Sequence, residues 1–115
     1  MKSLRLTTNF LNIKLKQMKT GIELIAEERQ EQIEKHGRSI SQDVTYNSGL
    51  EKPLTKAAAA LTMEHGNSLA MQTMRPQNWD AEIWNKMMSK PYKERLIIAG
   101  ALIAAEIDRV QASSV

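Results

Sequence analysis

Three glutamates within five residues, Glu27, Glu28 and Glu31, are the side chains best spaced to do chemistry in this chain. Carboxylates at helical spacing can gather Mg²⁺, which orients and neutralises the phosphates of a nucleotide during hydrolysis. Further carboxylates would have to converge on these from another helix. The nearest pair is Glu106 and Asp108, and a two-residue step turns their side chains about 200° apart on a helix. Acidic helix faces are more often simply solvated, so the preferred reading has no metal and no catalytic residue. A second set, Trp84, Lys90, Tyr92 and Arg95, offers an aromatic wall beside cationic groups, a combination suited to a nucleobase and a phosphate. Trp79 and Trp84 do not share an ideal helical face, so one can enter the core while the other borders a pocket. His36 and His65 read as helix-end residues near terminal carbonyls rather than as ligands or bases. Walker, Rossmann and zinc spacings are absent, as is any Ser-His-acid cluster in a recognisable context.

The elements that must position these residues are helical. Thr20-Gly21-Ile22-Glu23 has the form of a capping box, and Gly37 supplies the stop for the helix it opens. Residues Arg38 to Gly49 are rich in turn formers and read as a loop. Pro53 suits the first turn of a second helix, which the alanine run Ala57–Ala60 carries toward a stop at Gly66. The pattern then blurs until Pro76. Asn78 or Asp80 can cap a short helix holding Trp79, Ile83, Trp84, Met87 and Met88, and the last helix runs from Tyr92 to about Gln111. No strand alternation or internal repeat competes, so the expectation is an all-α bundle of three or four helices around an apolar C-terminal helix.

The ten uncharged residues opening LIIAGALIAAEIDR are too few for a membrane span, which takes about 20. They read as a core helix. Ile22, Ala26, Arg29, Ile33 and His36 form a three-and-four seam on the first helix, and Leu96, Ala99, Ile103, Glu106 and Val110 form one on the last. Each seam holds one charge, which predicts an Arg29–Glu106 ion pair between the helices, since a buried charge left alone is costly. The last helix is apolar almost all round, which predicts a homodimer.

Charge divides unevenly. Residues 1–19 carry five basic side chains and no acidic one, whereas the rest of the chain carries 11 basic and 13 acidic. The body has no basic run of the kind that follows a phosphate backbone, so nucleic-acid binding is not favoured. The first 19 residues read as a basic extension, either flexible or non-native with Met18 as an alternative start, and residues 20–112 as one helical domain. The absence of cysteine excludes disulfides and thiolate metal sites and leaves the cytoplasm as the default compartment.

Two resemblances bear on function. Glu28-Arg29, Gln32-Ile33 and Gly37, the alanine-rich helix, the tryptophans, Lys90-Pro91, Arg95-Leu96 and Ala99-Gly100-Ala101-Leu102-Ile103 running into Glu106-Ile107 and Arg109 resemble a group of small helical proteins of bacteriophages and prophages. Many of those proteins have a tryptophan after the glycine and a His-Asp-Asp-like cluster in the next loop. Here those places hold Arg38 and Gln42-Asp43-Val44, of which Asp43 alone matches. The resemblance implies a phage or mobile-element setting in a bacterial or infected-cell cytoplasm and supplies no activity; by analogy with small accessory proteins that bind host proteins or small signalling molecules, and with the aromatic and cationic set above, the expectation is a non-enzymatic protein binding a host protein or a nucleotide-like molecule. The alternative rests on Glu27-Glu28-x-x-Glu31, which is similar to the first half of the metal-binding motif of the all-α nucleoside-triphosphate pyrophosphohydrolases of the MazG-like family. That resemblance implies a Mg²⁺-dependent enzyme.

Overall fold

The computed structural model describes residues 12–13, 18–36, 52–64 and 69–113. Among these, the chain forms five α-helices and no strand: α1 (Gly21–His36), α2 (Pro53–Leu61), α3 (Leu69–Thr73), α4 (Ala81–Met88) and α5 (Tyr92–Ser113). This is the small all-α bundle with a long C-terminal helix that the sequence predicts. None of the described helices is long and apolar enough to cross a membrane. The loop read from Arg38 to Gly49, together with Gly37, His65 and Gly66, lies outside the described residues, as does the His36 side chain.

Local chemistry sets the helix starts. The Thr20 hydroxyl accepts from the Glu23 amide at 3.2 Å, and the Glu23 carboxylate accepts from the Thr20 amide at 3.1 Å, so the capping box is formed. These hydrogen bonds from Thr20 hold the Glu23 carboxyl below its ordinary pKa. Asp80, rather than Asn78, caps α4 by accepting from the Ile83 amide at 2.9 Å. Pro53 occupies the first turn of α2, but that helix ends at Leu61 instead of reaching Gly66. The Thr62 hydroxyl there donates to the Ala59 carbonyl at 2.8 Å, closing the last turn.

α5 is the centre of the bundle, with α2 and α1 as its principal neighbours. Alanines make the α2 contact close. Ala57, Ala58 and Ala60 of α2 are buried together with Ala99, Ala101 and Ala105 of α5, and Leu54, Leu61, Met71, Trp84, Met88 and Leu102 fill the remaining core. Facing small residues let helix backbones approach, and this rotates α5 away from the expected seam. Its buried face is Arg95, Ile98, Ala99, Ala101, Leu102, Ala105, Glu106 and Arg109, leaving Leu96, Ile103 and Val110 exposed. On α1 the seam is likewise rotated. Ile22 is 81 % exposed and Ala26 is exposed, while Arg29 and Gln32 are buried.

Gly100 sets how closely α1 lies on α5. A Cβ built there would stand 2.5 Å from Ile25 Cδ1 and 2.8 Å from Ile25 Cγ1, and a β-branched side chain in a helix has little rotamer freedom to withdraw. Gly100→Ala should therefore destabilise the protein by about 1–2 kcal/mol, overpacking outweighing the gain in helix propensity. In an Ile25→Ala background the same substitution should become stabilising. A urea-melt double-mutant cycle that shows no change of sign would refute this account.

Candidate functional site

A groove of about 700 Å³ opens between α1, α4 and α5, within the size range of small-molecule sites. Each helix brings a different chemistry. Glu28, Glu31 and the buried Gln32 come from α1, Ile83, Lys86 and Met87 from α4, and Glu94, Ile97 and Ile98 from α5, with Lys90 at the α4–α5 turn. Helical spacing explains the groupings. Glu28, Glu31 and Gln32 lie three and four residues apart, so they share one face, and Ile83, Lys86, Met87 and Lys90 repeat the same spacing.

Ion pairs bias which charges the groove offers. Lys90 Nζ lies 3.8 Å from Glu94 Oε2, and Lys35 Nζ lies 3.6 Å from Glu31 Oε1. Lys86 makes no ion pair among the described residues. The Gln32 side chain is almost wholly buried, and its amide oxygen accepts no hydrogen bond. An acceptor withheld from water in this way costs about 1–3 kcal/mol unless a donor reaches it.

The expected aromatic and cationic set does not assemble. Trp84 is completely buried in the core, with its ring edge-on to Trp79 at 6.1 Å between centroids. Arg95 is 3 % exposed, and its guanidinium donates to the carbonyls of Leu61 at 2.9 Å and of Met63, Glu64 and Lys90. That makes it the clamp on the C-terminal end of α2, and its charge is spent on backbone carbonyls rather than offered to a phosphate. Tyr92 is half exposed, with Arg95 Cζ 5.3 Å from its ring centroid. Of the four, Lys90 alone lines the groove. An arginine at the start of a helix reads as a surface cation in sequence, because nothing local reveals the distant carbonyls it will cap.

The glutamates separate similarly. Glu27 is drawn to Lys19 at 2.6 Å, a contact that raises the Lys19 pKa, whereas Glu28 and Glu31 line the groove. Among the described residues no three or more acids, histidines or cysteines come together as a metal-binding group.

Arg29 and Glu106 are both buried, as the seam argument requires, but the partners differ from the expected pair. Glu106 pairs with Arg109 one turn along its own helix, and Arg29 Nη2 lies 3.7 Å from Asp108 Oδ2. The three-residue spacing lets Arg109 reach Glu106 within one helix, so no crossing contact is required to neutralise that carboxylate. Sequence reasoning missed Gln32, Lys86 and Glu94 as groove residues. Their three-and-four spacing with Glu28 and Lys90 was visible, but which faces meet was not. No family model, curated protein or solved structure matches this chain.

Proposed function

We propose that this protein is a non-enzymatic accessory protein of the phage or prophage type that binds a small nucleotide-like molecule in the α1/α4/α5 groove. The observation that carries this reading is the mixed lining of the groove: acceptors Glu28, Glu31 and Gln32 on α1, ammonium groups at Lys86 and at Lys90, the latter shared with Glu94, and apolar Ile83, Met87, Ile97 and Ile98. A nucleotide has matching parts. Its base can lie against the apolar residues with an exocyclic amine toward Gln32 and Glu28, while its phosphate meets the lysines. The phage-like pattern at Ala99–Arg109 supports the accessory role and a cytoplasmic setting. A surface of a host protein presenting the same groups is the other partner this reading admits.

One observation favours the Mg²⁺-dependent hydrolase as the second reading: Glu28 and Glu31, one helical turn apart, line the same groove. Calorimetric titration of the full chain with adenine, guanine and cyclic nucleotides, with and without Mg²⁺, tests both. Binding tighter than about 1 mM is expected, weakened at least tenfold by Lys86→Glu combined with Lys90→Glu. Silence across the whole panel would remove the nucleotide reading, and pyrophosphate release that requires Mg²⁺ and Glu28 would replace it with the hydrolase.

A further inference from the structure

Away from the groove, α5 carries an apolar stripe on its solvent side. Leu96, Ile103, Ile107 and Val110 are between 39 and 55 % exposed. Leu96, Ile103 and Val110 recur every seven residues, so they lie almost on one line along about 21 Å of helix. An aligned row of exposed apolar side chains is the kind of surface a partner can cover. The stripe is symmetric about Ile103, with Leu96 and Val110 each seven residues from it, and Lys93 and the helix-ending Ser113 each ten residues away.

We infer that this face is the interface of a homodimer in which two α5 helices pack antiparallel about a two-fold axis at Ile103. A two-fold interface requires one surface to complement itself, and this stripe can do so with the two helices parallel or antiparallel. Antiparallel pairing sets Ile103 on the partner's Ile103 and Leu96 on the partner's Val110. Charge selects the antiparallel direction. The last turn of α5 contains no basic residue, so nothing within it offsets the partial negative charge of its terminal carbonyls. Antiparallel packing brings the partner's Lys93 to that end, whereas parallel packing would set Lys93 against the partner's Lys93. Ile25 lies against Gly100, so α1 borders the stripe on that side. The inference does not depend on what occupies the groove.

The cysteine-free chain makes the test direct. Light scattering of the full-length protein should give twice the 13.0 kDa chain mass at micromolar concentration. Ile103→Cys should oxidise to a disulfide-linked dimer much faster than Glu82→Cys, an exposed control on α4. Mixing the Leu96→Cys and Val110→Cys variants should yield the mixed disulfide ahead of either symmetric one. Ile103→Glu should weaken association at least about 30-fold, and Lys93→Glu about tenfold. Because both side chains are exposed, an unchanged circular-dichroism melt at a concentration where both proteins are monomeric separates lost pairing from lost folding. A monomeric mass for the wild type at 100-fold higher concentration would overturn the inference, as would crosslinking of Ile103→Cys no faster than the control. Preferential symmetric crosslinking at Leu96→Cys would overturn the antiparallel arrangement.

Discussion

Arg95→Met should lower the unfolding free energy by about 3 kcal/mol or more, measured by urea denaturation. Methionine keeps most of the length and the apolar stem, so the substitution isolates the guanidinium. That group donates to four backbone carbonyls, three of them beyond the end of α2's hydrogen-bonded turns, at Leu61, Met63 and Glu64. A hydrogen bond from a charged donor contributes about 1.5–3 kcal/mol, and a buried carbonyl left without a donor forfeits its hydration as well. Arg95→Lys should recover little of the loss. A lysine keeps the charge, but its single ammonium cannot present the planar fork that reaches carbonyls on two sides at once. A loss below about 1 kcal/mol for Arg95→Met would show that these carbonyls find water or other donors, and α2 would then need a different explanation for where it stops.

Trp84→Ala should cost about 3–5 kcal/mol, the usual range for emptying a large buried aromatic site. Trp84 is the largest fully buried side chain, and it is surrounded by the core to which Leu54, Leu61, Met71, Met88 and Leu102 belong. Trp79, packed edge-on against it, would lose its aromatic partner. Trp84→Phe separates two contributions. The indole nitrogen is buried and donates to no acceptor, so phenylalanine removes an unsatisfied N–H while leaving a smaller cavity than alanine. The expected loss is about 1 kcal/mol, well under the value for alanine. Equal losses for the two variants in thermal and urea melts would mean that the indole N–H is satisfied in solution.

Both predictions concern residues whose sequence reading pointed to a pocket. Trp84 and Arg95 were chemically plausible ligand-binding groups, yet one fills the core and the other caps a helix. The difference lies in contacts of long sequence separation. Arg95 meets carbonyls more than 30 positions earlier in the chain, and no local pattern announces them. Lys90 and the pair Glu28 and Glu31 did reach a common groove, but with Lys86, Gln32 and Glu94 as neighbours in place of the expected aromatics. Of the four residues that the sequence reading set against a nucleotide, the groove therefore holds Lys90 alone.

What the sequence determined by itself is everything that short-range physics controls. The capping box at Thr20, the proline start of α2, the all-helical class and a C-terminal helix too short in apolar length for a membrane are all consequences of residues within a turn or two of one another, whereas the cap of α4 was legible only as a choice between Asn78 and Asp80. Tertiary structure decided the phases of the helices. Leu96, Ile103 and Val110 form as good an apolar stripe as the one that is buried, and periodicity cannot rank two stripes on one helix. Packing against α2 settled it: the face of α5 that carries Ile98, Ala99, Leu102 and Ala105 is buried with Leu54, Ala57, Ala58, Ala60 and Leu61 of α2, and Leu96, Ile103 and Val110 were left outward. The same packing placed Arg29 beside Asp108 and left the stripe exposed. Close packing between distant segments fixes these choices, and it is a property of surfaces that exist only once the helices have come together.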